Sequence, residues 1–193
     1  MSTLYEYPNG VLKNRFGIQD RVALAQAEAA ATGLRIAQLL HAPLPGNFDL
    51  VHLQALHLFI FQDVYEWAGE IRTIDIGKGP GQFAHHAFIV ANAAKLFAQL
   101  AREQNLQSLG MASFAARAAY YFGEVNALHP FLEGNGRAQR LFFLLLSQQS
   151  GFRLEWGRIS AQEMVDASSL SLLRGDNSAL EQLFLRILVP TSP

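Results

Sequence analysis

The chain has 193 residues, half of them apolar, which is enough to bury one sizeable core and fits a single domain. The formal net charge is −1 with both signs interspersed, so neither nucleic acid nor a membrane surface is predicted as a partner. There is no cysteine, which excludes disulfides and agrees with a reducing cytoplasm. No secretory signal pattern opens the chain, and its longest apolar run is far below the roughly 20 residues that span a bilayer. We therefore expect a soluble, cytoplasmic protein.

Helical periodicity dominates the chain after an N-terminal arm of about residues 1–19. An Ala- and Leu-rich stretch predicts a helix from Asp20 to Leu40, with Asp20 as its N-cap. Apolar residues at helical spacing predict a second helix from Asp49 to Trp67. Between residues 71 and 76 the pattern becomes β-branched and roughly alternating, and a Gly-rich segment follows. A short β-hairpin is expected there.

The second half of the chain is again helical in pattern. Helices are predicted over residues 86–104, 111–127 and 137–149, and the last of these is apolar nearly all round, which places it in the middle of the fold. Capping-box patterns at Ser160–Glu163 and Ser178–Glu181 predict two final helices. The pattern as a whole predicts an all-α fold, with one domain over residues 1–193 and one small hairpin.

The segment from His129 to Arg140 reads His-Pro-Phe-Leu-Glu-Gly-Asn-Gly-Arg-Ala-Gln-Arg. Its Gly-Asn-Gly portion leads straight into a helix, whose first N–H groups lack intrahelical partners and form an anion cradle. Arg137 and Arg140 follow in the first turn, where the helix dipole disfavours cations, so a bound polyphosphate is indicated. Glu133 beside this cradle is suited to hold Mg²⁺ together with substrate phosphates.

His129 is the strongest candidate in the chain for a general base at neutral pH, because the pKa of an unperturbed imidazole is about 6.5. A base, a carboxylate for a metal and an anion cradle together predict attack of a hydroxyl on phosphorus. Purely structural interpretations stay open on this pattern alone. Glu133 could pair with one of the arginines, His129 could cap a helix, and the glycines could only shape a turn.

The same segment resembles the motif of the Fic family, His-x-Phe-x-Asp/Glu-Gly-Asn-Gly-Arg-x-x-Arg, at every defined position. Two further segments look like those of stand-alone bacterial Fic toxins: residues 5–15, Tyr-Glu-Tyr-Pro-Asn-Gly-Val-Leu-Lys-Asn-Arg, and residues 63–72, Asp-Val-Tyr-Glu-Trp-Ala-Gly-Glu-Ile-Arg. The resemblance implies the Fic fold, a compact helical domain with a β-hairpin flap beside the active site. It also implies transfer of AMP from ATP to a hydroxyl side chain of a target protein.

Residue roles follow from the resemblance. His129 would deprotonate the target hydroxyl, Glu133 would hold Mg²⁺ on the α- and β-phosphates, and Phe131 would anchor the loop in the core. The phosphates of ATP would be bound by Gly134, Asn135, Gly136, Arg137 and Arg140, with Arg137 on the β-phosphate and Arg140 on the γ-phosphate. The flap would pair with an extended segment of the target through Asp75, Ile76, Gly77, Lys78, Gly79, Pro80, Gly81, Gln82 and Phe83.

Gly136 bears on the transferred group, because a branch of the family that phosphorylates its targets carries Lys at this position. AMP transfer is therefore expected, although a few relatives with a similar motif use other nucleotide donors. A nucleotide-binding module without catalysis is an alternative from a different class of function.

Many Fic proteins carry an inhibitory helix with the pattern Ser/Thr-x-x-x-Glu-Gly/Asn. Here only Ser2 with Glu6 approaches this pattern, and Tyr7 then occupies its last position. The chain thus resembles the toxin subgroup, class I, in which a separate small helical antitoxin supplies the inhibitory glutamate. Known targets of that subgroup include the ATPase subunits of DNA gyrase and topoisomerase IV.

Four further histidines have simpler interpretations. His52 with His57, and His85 with His86, lack the spacing of helical metal-binding pairs, so surface or capping roles are expected for them. Lys78 in the hairpin is expected to be solvated.

Overall fold

A computed structural model describes residues 4–78 and 81–191, with Lys78 described for its backbone only. Over these residues the fold is mostly helical, which confirms the predicted class. The helices are α1 (Arg21–His41), α2 (Leu50–Phe61), α3 (Ile89–Arg102), α4 (Met111–Leu128), α5 (Asn135–Gln149), α6 (Ala161–Arg174) and α7 (Ser178–Ile187). The strands are β1 (Gly77–Lys78), β2 (Gly81–Gln82), β3 (Phe152–Leu154) and β4 (Leu188–Pro190). None of the described helices is long and apolar enough to cross a membrane.

Helix α5 lies at the centre of the fold, as its nearly uniform apolar character predicts. Phe142, Phe143 and Leu146 are fully buried, and α5 packs against α2, α4 and β3. Full burial of each such side chain contributes about 1.5–3 kcal/mol. These side chains anchor α5 in the core.

Side-chain caps set the first residues of three helices at the predicted places. The carboxylate of Asp20 accepts a hydrogen bond from the N–H of Ala23 at 2.8 Å, and that of Asp49 accepts from the N–H of His52 at 2.8 Å. Ser160 and Glu163 form the predicted reciprocal capping box at the start of α6. Each cap satisfies a backbone N–H that the helix itself cannot pair.

Several helix boundaries differ from the prediction, by up to three residues in α3 and α5 and by more at the end of α2. Helix α2 ends at Phe61 rather than Trp67, and the chain turns so that the rings of Tyr65 and Trp67 stack at 4.3 Å in the core. Their apolar side chains continue the helical pattern although the backbone does not. The capping box predicted at Ser178 is also wrong, because Ser178 is the first residue of α7 and Asn177 precedes it as the N-cap.

The strands also lie elsewhere than predicted. Residues 71–76 are not a strand, and the hairpin is instead made by β1 and β2, with Gly77 opposite Gln82. The predicted turn residues Gly79 and Pro80 lie outside the described part of the chain. A second antiparallel sheet, β3 with β4, was not predicted. Its two strands are three residues each and far apart in sequence, so no local pattern reveals their pairing.

Candidate active site

A cavity of about 900 Å³ opens beside the first turn of α5. Its walls come from the N-terminal arm, the base of the hairpin, the loop between α4 and α5, and one face of α6. Most of the residues predicted for catalysis and phosphate binding line it: His129, Glu133, Gly134, Asn135, Gly136 and Arg140. Four of the predicted flap residues also line it: Asp75, Ile76, Gly77 and Phe83.

The loop before α5 is closed by the side chain of Asn135. Its Oδ1 accepts from the N–H of Phe131 at 2.9 Å, and its Nδ2 donates to the carbonyl of Phe131 at 2.7 Å. The ring of Phe131 is buried, as predicted for an anchor, and stacks on His57 at 3.9 Å. The amide of Asn135 thus shapes the loop, so any contact of this residue with an anion falls to its backbone N–H.

Gly134 occupies a position that no other residue fits. Its φ is +82°, and an added Cβ would lie 2.2 Å from the ring of Phe61. Its N–H donates to Oε1 of Glu133 at 2.8 Å. The next N–H groups, those of Asn135 and Gly136, belong to the first turn of α5 and have no carbonyl four residues earlier in the helix. They are suited to receive an anion in the cavity.

Arg140 lines the cavity and is only partly exposed. Its guanidinium makes no hydrogen bond or ion pair with any residue in the described part of the chain. Burial lowers its pKa, and the positive charge of Arg137 lowers it further. A buried cation without a counter-charge is costly, so an anion bound beside Arg140 would be stabilising.

Arg137 is not among the residues that line this cavity. Its guanidinium forms a salt bridge with Glu28 of α1, donates to Oγ1 of Thr32 at 3.3 Å and lies over the ring of Phe61 at 4.6 Å. Glu133 is 3.6 Å from the same guanidinium. The two arginines predicted to bind one polyphosphate are therefore separated here, and contact of Arg137 with a β-phosphate stays a prediction.

His129 caps the C-terminus of α4 in the left-handed conformation, with φ 43° and ψ 63°. Its Nδ1 lies 3.2 Å from the carbonyl oxygen of Asn126, which favours the tautomer that carries its proton on Nδ1 and its lone pair on Nε2. The ring of Phe83 stacks on the imidazole at 3.7 Å and 12°. The helix-capping interpretation of His129 is confirmed, and its role as a general base stays a prediction.

Glu133 fits the predicted metal site in chemistry and in place. Its side chain is about half exposed, at 51%, and it faces the cavity beside the first turn of α5. One carboxylate together with substrate phosphates is a set of ligands that Mg²⁺ commonly takes.

His57 has a role that the sequence did not indicate. Both His52 and His57 are buried, so the prediction of surface or capping roles for this pair is wrong. The Nδ1 of His57 accepts from the N–H of Gly69 at 2.9 Å, and its Nε2 donates to the carbonyl of Glu133 at 2.9 Å. Burial lowers the pKa of His57 to about 4. The neutral imidazole of His57 therefore stabilises the loop between α4 and α5 through its bond to Glu133.

Asp75 connects the hairpin to the second histidine pair. Its carboxylate accepts from the backbone N–H of His86 at 2.8 Å, and the rings of His85 and His86 lie at 3.3 and 3.0 Å from it. His85 accepts from the N–H of Ala87 and so caps the 3-10 turn that follows, as predicted. Asp75 is thus engaged at the base of the hairpin.

Arg72 is the second residue that the sequence did not single out. It is 3% exposed, and its guanidinium donates to backbone carbonyls on both sides of the cavity. Its role is not evident from the sequence, because four of its partners are main-chain carbonyls, which any residue type supplies.

These features define a helical domain with an anion-binding turn at the start of its central helix and a histidine in the same cavity. The model of the Fic/DOC family matches residues 47–147. The chain belongs to this family, which confirms the resemblance seen in the sequence.

Curated relatives carry names that agree with the predicted enzyme class. The chain is 45% identical over 82% of its length to protein adenylyltransferase VbhT of Bartonella schoenbuchensis, of which it spans 33%. It is 39% identical over 93% of its length to a probable protein adenylyltransferase Fic of Salmonella typhimurium, of which it spans 89%. The chain therefore covers about a third of one relative and most of the other.

Solved structures share the fold over nearly the whole chain. BepC of Bartonella tribocorum, a structure with bound AMPPNP, has a TM-score of 0.90 at 28% identity, and the match covers 97% of each chain. An N-terminal Fic domain from Bartonella quintana with bound ADP has a TM-score of 0.90 at 30% identity, with 97% of this chain and 95% of that chain covered.

Proposed function

We propose that the chain is a protein adenylyltransferase that transfers AMP from ATP to a Tyr, Ser or Thr hydroxyl of a target protein. The observation that carries the proposal is the position of Arg140, a partly buried guanidinium without a counter-charge among the described residues, in the same cavity as His129. The names of the curated relatives and the nucleotides bound in related structures support it.

In this proposal the hydroxyl oxygen attacks the α-phosphorus of ATP in line with the departing oxygen. A bond forms between that oxygen and the α-phosphorus, the bond to the β-phosphate oxygen breaks, and pyrophosphate leaves. His129 takes the hydroxyl proton on Nε2, since its Nδ1 proton faces the carbonyl of Asn126. The N–H groups at the start of α5 and the guanidinium of Arg140 hold the phosphates. When bound at Glu133, Mg²⁺ supplies further charge neutralisation.

The flap is proposed to align the target. Asp75, Ile76, Gly77 and Phe83 line the cavity, and the short strands β1 and β2 offer hydrogen-bonding groups for an extended segment. Phe83 ties this segment to the base, because its ring lies against the imidazole of His129. A hydroxyl side chain of the target segment that pairs with the flap would then lie beside His129.

The test uses the purified chain with ATP, Mg²⁺ and a bacterial lysate, followed by mass spectrometry of the modified proteins. ATP labelled on the α- or γ-phosphorus separates the donor reactions, since AMP transfer retains the first label and phosphoryl transfer the second. We expect only the α-label on the target and no adduct with His129→Ala. Binding of ATP without any adduct would show a non-catalytic module, and an adduct of another mass would show another donor.

A separate small helical antitoxin is proposed as the inhibitor, and ATPase subunits of type II topoisomerases as the target. Both rest on resemblance to the class I toxins, and two observations support them: the 193-residue sequence lacks the inhibitory pattern, and the guanidinium of Arg140 has no partner in the described part of the chain. The probe is a helical peptide that carries Ser-x-x-x-Glu-Gly, with a Glu→Ala peptide as control. We expect the first peptide alone to block the adduct, and purified gyrase B subunit to become labelled. Equal effects of the two peptides would contradict the proposed mode of inhibition.

A further inference from the structure

The guanidinium of Arg72 joins the two segments that form the catalytic side of the cavity. Its Nε donates to the carbonyl of His129 at 2.7 Å, and Nη2 donates to that of Leu128 at 3.2 Å. On the other side, Nη1 donates to the carbonyl of Ile74 at 2.7 Å, and Nη2 also donates to that of Ala84. Four carbonyls from the hairpin base and the end of α4 are thus held by one buried side chain.

The partners of Arg72 are groups that need donors. Leu128 and His129 lie at the C-terminus of α4, where the last carbonyls have no intrahelical partner and the helix dipole favours a cation. The planar fork of a guanidinium can donate in several directions at once, whereas an ammonium group is a single point. Asp75 balances the charge, with its Oδ1 at 3.8 Å from Nη1.

The backbone conformation of His129 makes this contact specific. A left-handed conformation costs a residue with a Cβ roughly 1–2 kcal/mol, so it persists only where neighbouring contacts hold it. The bond from Nε of Arg72 fixes the carbonyl that this conformation turns outwards. The backbone N–H of Arg72 also donates to the carbonyl of Pro130 at 2.9 Å. Arg72 therefore binds the carbonyls of two successive residues, His129 and Pro130.

The same side chain also fixes the hairpin relative to the imidazole. Ile74 and Ala84 lie just outside the hairpin, and the N–H of Ala84 donates to the carbonyl of Ala127 at 2.9 Å. Phe83, next to Ala84, places its ring on the imidazole at 3.7 Å. The distance between the His129 imidazole and the hairpin thus depends on the bonds from Arg72 to the carbonyls of His129, Ile74 and Ala84.

We propose that Arg72 is a positioning residue for the transfer reaction, setting the orientation of the His129 imidazole and the register of the hairpin beside it. This inference rests on the proposed function, in which His129 is the base. Arg72 does not line the cavity, and none of its hydrogen bonds goes to the first turn of α5. Its loss should therefore slow transfer without weakening the binding of ATP.

The test compares Arg72→Lys with Arg117→Lys in the full chain. Arg117 is a matched control, because it is a partly buried arginine paired with Glu103 at 2.6 Å and belongs to no wall of the cavity. The first readout is the proton NMR resonance of the His129 ring, assigned by its loss in His129→Ala and shifted upfield by the stacked ring of Phe83. We expect Arg72→Lys to abolish that upfield shift and Arg117→Lys to retain it.

The second readout is the rate of adduct formation at saturating ATP together with ATP affinity from calorimetry. We expect Arg72→Lys to slow transfer by on the order of 10²-fold, the effect of a misplacement of about 1 Å, with unchanged ATP affinity. If the His129 resonance of Arg72→Lys keeps the upfield shift of wild type and the variant is fully active, the proposal is overturned. A parallel loss of ATP affinity and transfer rate would also overturn it. If wild type forms no adduct, the proposed function fails, while the NMR comparison still decides the positioning role.

A measurement on wild type covers the case in which Arg72→Lys does not fold. The Nε–H of Arg72 should exchange with solvent much more slowly than that of Arg153, whose side chain is 56% exposed. Equally fast exchange of the two groups would overturn the proposal, because a guanidinium that does not hold the carbonyl of His129 cannot position it.

Discussion

The guanidinium of Arg137 is held by the carboxylate of Glu28, which lies 109 residues earlier in the chain and outside the cavity. Glu28 also accepts from the hydroxyl of Tyr65, so α1, α5 and the turn after α2 meet at this carboxylate. Burial and this bond raise the pKa of Tyr65, and the phenol stays protonated. One motif arginine is thus committed to the fold, while the other faces the cavity.

Arg137→Met is expected to lower the free energy of unfolding by about 1–3 kcal/mol, because it leaves the carboxylate of Glu28 without its cationic partner. The Glu28 side chain is only 13% exposed, so water compensates poorly. The double variant with Glu28→Gln should regain part of the loss. Urea unfolding of the single and double variants measures this coupling, and strictly additive effects would contradict it.

Arg140→Met is expected to weaken ATP binding by about 10- to 100-fold, the value of charged hydrogen bonds to phosphate. Stability should be unchanged or higher, since the variant removes a buried cation without a partner among the described residues. Calorimetric titration with ATP and Mg²⁺ checks the first effect, and urea unfolding checks the second. Arg137→Met serves as the comparison. If it weakens ATP binding as much as Arg140→Met, the side chain of Arg137 must leave Glu28 when nucleotide binds.

Gly134→Ala is expected to destabilise the loop and to reduce adduct formation. The matched control is Gly151→Ala, because Gly151 has a similar φ of +79° but nothing within 4 Å of an added Cβ. Both variants carry the left-handed cost of about 1–2 kcal/mol. Only Gly134→Ala also meets the ring of Phe61. Comparing the melting temperature and adduct yield of the two variants separates backbone strain from the clash with Phe61. Equal losses in the two variants would contradict an effect of the clash.

His57 is expected to make the fold sensitive to acid. The unfolded imidazole binds a proton below about pH 6.5, whereas the folded one resists protonation until about pH 4. The free energy of unfolding is therefore unaffected by this group above pH 6.5. It falls as the pH drops from 6.5 towards 4, by up to about 3 kcal/mol. Urea unfolding at several pH values should show a flatter profile for His57→Gln than for wild type. Parallel profiles would show that the buried ring is not the cause.

Much of the fold was predictable because its signals are local. Asp20 and Ser160 mark helix starts through caps within three residues, and the apolar centre of α5 predicts its burial. The end of α2 was missed because Tyr65 and Trp67 continue the apolar spacing in a segment that turns. Apolar spacing reports which side chains are buried, not the backbone that carries them.

The candidate site was predictable to the extent that its residues are contiguous. His129 to Arg140 form one loop and one helix start, so their motif is visible in the sequence, and most of them meet in one cavity. Arg72 and Glu28 were not predictable, because Leu128 and Arg137, the partners that tie them to the site, lie 56 and 109 residues away and no spacing rule connects them. The carbonyls that a buried arginine binds can belong to any residue type, so the sequence does not identify them.

The hairpin between Ile74 and Ala84 is fastened at both ends by one side chain, that of Arg72. A segment whose two ends are bound by one side chain can change its length and sequence without disturbing the rest of the domain. The hairpin is thereby an exchangeable cassette. In the proposed function, exchanging the hairpin between relatives would change the target protein that is bound while the chemistry of the host domain persists.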